Sequence, residues 1–141
     1  MREFRSIFDL GSMWLPKSKE RELRLLLVTS TNCRWCDIFK PLYKELEEQL
    51  VGNYELYQIE AENVGGRAVF REGFHFFFRV PNRAFPSLYI VEPAHSITRA
   101  PHKEMAKDFE ETDEDRTPAF DADRLLNHLQ TYHKKRNETS E

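Results

Sequence analysis

Residues 22–30 read ELRLLLVTS, an apolar run with charge before it and small polar residues after it, and no other segment narrows the possible folds as much. Four consecutive apolar side chains, Leu25, Leu26, Leu27 and Val28, cannot alternate between a core face and a wet face. The segment therefore reads as a central strand covered on both sides. Ser30, Thr31 and Asn32 follow and offer side-chain oxygens to the free amides of a starting helix. That helix is predicted over residues 33–50, with Ile38, Phe39, Leu42, Leu46 and Leu50 on one face and a kink at Pro41, one turn after Cys36. Gly52 and Asn53 make a turn, and residues 54–59 form the next strand, parallel to the first because a helix connects them. The result is a βαβ unit with Cys33-Arg34-Trp35-Cys36 at the carboxyl end of its first strand, the edge of an open α/β sheet where reaction sites gather.

Beyond that unit, residues 65–85 hold six of the eleven phenylalanines, and Phe70, Phe74, Phe77 and Phe78 fall at helical spacing. A helix packed on the sheet is the plain reading, ended by Val80-Pro81-Asn82. Residues 87–92 (SLYIVE) read as a second apolar strand, and residues 96–99 pair with it as an edge hairpin after a turn at Pro93-Ala94. Residues 103–117 are crowded with Asp108, Glu110, Glu111, Asp113, Glu114 and Asp115 and read as a solvated loop. Asp121 caps a last helix carrying Leu125, Leu126, Leu129 and Tyr132, and residues 134–141 form a polar tail expected to fray. The chain is expected to be a single domain over residues 1–141, with its core at about 22–133.

A net charge of −3, from 21 basic and 24 acidic side chains, provides no positive field to hold a nucleic acid. The longest apolar stretches, residues 25–28 and 76–78, fall far short of the ~20 residues of a membrane span. The first twenty residues carry Arg2, Glu3, Arg5 and Asp9 and have no continuous apolar core of a secretory signal, so a cytoplasmic protein is expected.

Only two cysteines are present, three positions apart, which excludes a structural disulfide framework and a four-cysteine zinc site within one chain. Haem attachment needs a histidine directly after the second cysteine, where this chain has Asp37. Zinc would need two ligands from His75, His95, His102, His128 and His133, which stand at no recognised spacing. Neither a metal nor a cofactor is expected. A helix amino terminus and a nearby cation both lower a thiol's pKa from ~8.5, and Cys33 stands where both act, with Arg34 beside it. Cys36 lies one turn deeper. Cys33 is thus the candidate attacking thiol and Cys36 the candidate resolving thiol of a disulfide exchange. The bland alternatives are an inert scaffold with an unused cysteine pair and, less readily, a metal site.

The strand at residues 25–28, the motif Cys33-Arg34-Trp35-Cys36, Pro41 five residues past the second cysteine, and Phe85-Pro86 before the next strand together resemble the thioredoxin superfamily. The resemblance covers roughly residues 24–99 and the final helix. It implies an α/β, thioredoxin-like fold, a central mixed sheet of four to five strands flanked by helices on both faces. It also implies that Pro86 is the cis proline that lies against the cysteine pair, that Phe85 offers its backbone to an extended substrate, and that Trp35 borders the same groove. The expected partners are a protein thiol or disulfide substrate and a redox donor or acceptor. Four positions depart from the family pattern: Leu27 replaces the buried aspartate of its reducing members, Asn32 replaces the tryptophan before the first cysteine, and Arg34-Trp35 replaces Gly-Pro between the cysteines. The alternative function is a non-catalytic module that holds a protein partner through the phenylalanine-rich segment.

Overall fold

The computed structural model describes residues 1–14, 23–82, 84–92, 96–99, 106–107 and 119–139. In chain order the elements are β1 (Arg2–Phe4), a 3-10 helix (Ile7–Trp14), β2 (Leu23–Thr29), α1 (Arg34–Leu50), β3 (Tyr54–Glu60), a 3-10 turn (Ala61–Val64), α2 (Arg67–Phe78), β4 (Ser87–Glu92), β5 (Ser96–Arg99), β6 (Ala106–Lys107), β7 (Ala119–Phe120) and α3 (Ala122–Thr139). Five strands form one mixed sheet in the order β1-β3-β2-β4-β5. β2 pairs parallel with β3 through the α1 crossover and antiparallel with β4, which pairs antiparallel with β5.

All seven residues of β2 are buried, as its unbroken apolar run requires. Alternate residues supply two cores. Leu23, Leu25 and Leu27 face Phe39, Tyr43, Leu46 and Leu50 of α1 and Leu125 and Leu129 of α3. Leu26 and Val28 face Phe70, Phe74 and Phe78 of α2 and Leu10 and Met13 of the first 3-10 helix. Of the α1 side chains predicted to face inward, Ile38 and Leu42 are half-buried at the margin, and Tyr43 takes the central place. Its hydroxyl donates to the carbonyls of Leu25 (3.0 Å) and Tyr57 (2.7 Å), so its one polar atom is satisfied inside the core, and burial pushes its phenol pKa well up. α1 runs unbroken through Pro41.

Three expectations need correction. The core does not begin near residue 22: β1 adds a parallel edge to β3, and the 3-10 helix is tied down by Arg24. That guanidinium is only 6% exposed and donates to the carbonyls of Ser12 and Met13, which the end of a short helix leaves without partners. Trp14 adds an indole donor to the Phe77 carbonyl at 3.0 Å. The polar tail does not fray at residue 134: α3 continues to Thr139, because Tyr132 and Arg136 both bond Glu92, a carboxylate only 5% exposed. Within the expected acidic loop, Ala106–Lys107 pairs with Ala119–Phe120 as a small second sheet. Residues 108–117 and the turn at Pro93-Ala94 lie outside the described residues. No helix of the described residues is long and apolar enough to cross a membrane.

Candidate functional site

β2 hands the chain to α1 through Ser30, Thr31 and Asn32. Asn32 has φ +53°, the left-handed region that asparagine tolerates better than most residues, and the chain enters α1 directly after it. Cys33 is the N-cap, with extended backbone at φ −116° and ψ 104°. Its Sγ accepts the Cys36 N–H at 3.2 Å, and its carbonyl accepts the Asp37 N–H at 3.1 Å. A sulfur thus occupies the place that a serine or aspartate oxygen takes at other helix starts. The two cysteines are disulfide-bonded, with Cα atoms 5.2 Å apart. Cys33 is partly exposed and Cys36 fully buried, so of the two only Cys33 is open to solvent.

Arg34 and Trp35 open the helix. Arg34 is exposed, and Trp35 is half-buried against the α1–α3 core. Leu27 is fully buried in the apolar cluster that also holds Phe39 and Leu88. Lys40, one helical turn past Cys36, pairs at 3.1 Å with Glu60, the last residue of β3.

Register places the other wall. Ser87 lies opposite Val28, so the Phe85–Pro86 segment stands at the same sheet end as the cysteine loop, and its peptide bond is cis. Phe85 is half-buried, 6.4 Å from the Phe70 ring, with the guanidinium carbons of Arg67 and Arg71 at 5.4 and 5.5 Å from its ring centroid.

Sequence reasoning missed one group of residues here. Glu62, in the 3-10 turn after β3, accepts from the Ser30 hydroxyl at 2.5 Å and from the Thr31 N–H at 2.9 Å. Arg67, at the start of α2, donates to the Ser30 hydroxyl at 2.8 Å and to Glu62 at 3.4 Å. Burial alone would raise the Glu62 carboxyl, but the hydrogen bonds from Ser30, the backbone and Arg67 outweigh it and hold its pKa at about 2. The sequence separations of 31 to 37 residues carry no local pattern that would have joined these side chains.

No protein-family model and no curated protein matches the chain. Among solved structures, its backbone is similar to the J-Trx1 fragment of ERdj5, with a TM-score of 0.50 and 14% identity over 80% of this chain and 44% of that one. The fold is thioredoxin-like. The chain spans less than half the length of that structure. In the thioredoxin-like frame, the cysteine pair caps the crossover helix at the carboxyl end of the central strand, and Phe85–Pro86 enters from the antiparallel side.

The phenylalanine-rich segment divides within this fold. Phe70, Phe74 and Phe78 are core residues, Phe77 is half-buried against the same cluster, and Phe76 is 65% exposed. His75 lies on α2 and His128 and His133 on α3, while His95 and His102 fall outside the described residues.

Proposed function

We propose that the chain is a protein thiol–disulfide oxidoreductase in which Cys33 attacks and Cys36 resolves. The observation that carries this reading is a partly exposed Cys33 at a helix amino terminus, bonded to a fully buried Cys36 three residues on. The first-turn amides and the adjacent Arg34 stabilise the Cys33 thiolate, the species that reacts.

In the reducing direction the Cys33 thiolate attacks one sulfur of a partner disulfide, forming a mixed disulfide and expelling one partner thiolate. Cys36 then loses its proton and attacks the Cys33 sulfur, which expels the second partner thiolate. The chain's dithiol has become the Cys33–Cys36 disulfide, and the partner has gained two electrons. A redox donor resets the pair. The oxidising direction is the same path reversed, with a redox acceptor closing the cycle. Phe85, Pro86 and Trp35 border the approach to Cys33 and guide an extended substrate segment.

Two residues weigh on the direction. A thiolate stabilised at Cys33 favours the reduced form, which makes the disulfide a stronger oxidant, and Leu27 leaves Cys36 above apolar side chains where a carboxylate would have served as its base. The test is the equilibrium potential of the pair in glutathione or dithiothreitol buffers, with Cys33→Ser as control. A value well above the roughly −270 mV of a thioredoxin, toward about −120 mV, assigns the oxidising direction, and a value near −270 mV assigns the reducing one. Failure to form and break an intramolecular disulfide overturns the proposal.

A further inference from the structure

We infer that Arg67 is a positioning residue that ties the cysteine loop to the Phe85–Pro86 segment, so that the two walls of the substrate groove hold one geometry. The inference rests on the oxidoreductase reading above and deepens it.

The loop from Ser30 to Asn32 lies beyond the last ladder pair of β2, Thr29 with Glu60, so the sheet does not hold it. Side chains do. Glu62 takes the Thr31 N–H and the Ser30 hydroxyl, and Arg67 reaches the same Ser30 hydroxyl through Nε (2.8 Å) and the Thr31 carbonyl through Nη2 (3.5 Å). The guanidinium also lies over the Phe85 ring at 5.4 Å, directly before Pro86. One guanidinium thus bonds the cysteine loop and lies over the ring on the opposite side. Arg71, one turn further along α2, adds a second cation at 5.5 Å from the same ring.

Position strengthens the argument. Arg67 is the first residue of α2, where a cation opposes the helix dipole, so local helix preference does not explain it. Lysine would keep the charge but has neither the fork for Ser30 and Thr31 nor the plane for Phe85. The geometry needs arginine. A groove whose walls are coupled in this way matters for a polypeptide, which touches both, and little for a small disulfide that meets only the Cys33 sulfur.

The test compares the full chain with Arg67→Ala and Arg67→Lys, using two probes: insulin, with dithiothreitol as the electron source, and 2-hydroxyethyl disulfide. Both variants are expected to lose about tenfold in kcat/KM toward insulin, mostly through KM, and to change less than about twofold toward 2-hydroxyethyl disulfide. Thermal melts of each variant register any loss of folded protein, and Arg67→Lys serves if Arg67→Ala does not fold. Full rescue by lysine overturns the inference, since charge alone would then suffice. Equal losses on both probes overturn it as well, because the role would be only structural, and so does wild-type behaviour of both variants. A wild-type chain no more active than Cys33→Ser instead defeats the oxidoreductase reading itself.

Discussion

Two arginines capture irregular backbone in this molecule, and they do so in opposite surroundings. Arg24 is only 6% exposed and donates to the Ser12 and Met13 carbonyls, with Glu55 at 3.7 Å. Arg67 has a side chain 52% exposed and bonds Ser30, Thr31 and Glu62 while covering Phe85. The bonding chemistry is of one kind: a guanidinium supplies N–H donors, through Nη1 at Arg24 and through Nε and Nη2 at Arg67, to oxygens outside the regular ladders. Burial decides what each contributes. A buried guanidinium leaves costly orphans when removed and therefore holds the fold, whereas an exposed one is easily replaced by water and contributes mainly geometry.

The comparison fails at once if the cysteine corner has no chemistry. The largest expected effect is therefore that Cys33→Ser abolishes turnover of insulin while the far-ultraviolet circular dichroism spectrum stays native. Next, Arg24→Ala should cost about 3 kcal/mol in urea unfolding, because the buried Met13 carbonyl and the part-buried Ser12 carbonyl lose their donor, with little change in exchange rate per folded molecule. A cost below about 1 kcal/mol would place Arg24 with the exposed pairs. Tyr43→Phe should cost about 1–2 kcal/mol, since it leaves the Leu25 and Tyr57 carbonyls without their shared donor.

The smallest effect concerns pH. Glu62 is held at about 2 in the folded chain, below the roughly 4.3 of an unfolded glutamate. A depressed carboxylate contributes stability that is present above the unfolded value and is lost as pH falls through the folded one. The wild-type chain should therefore lose part of its stability between about pH 4.3 and 2, and Glu62→Gln should flatten that part of the profile. Urea titrations at pH 3 and pH 6 for both chains read the difference.

The β2–α1–β3 unit was legible because its signals are local: a covered apolar run, small polar residues at a helix start, and a helical stripe within 40 residues. The cysteine pair was legible for the same reason, since Cys33 and Cys36 share one helical turn and need no distant partner to be recognised. Residues 1–14 were not legible as part of the core. A three-residue strand and a short 3-10 helix that buries only Leu10 and Met13 show no period long enough to read. The end of α3 was hidden in a different way: its polar composition suits a frayed tail, but Glu92 on β4, 40 to 44 residues earlier, binds Tyr132 and Arg136.

Local order in the chain thus settled the β2–α1–β3 unit and where the two cysteines stand in it, because hydrophobic period, capping and peptide geometry act over a few residues. Tertiary structure alone decided that Glu62 and Arg67 hold the loop before Cys33, that Arg67 also lies over Phe85, and that Glu92 holds the end of α3. These contacts join residues about 20 to 45 positions apart, where no local preference reaches and only the packing of the sheet and its helices brings the groups together.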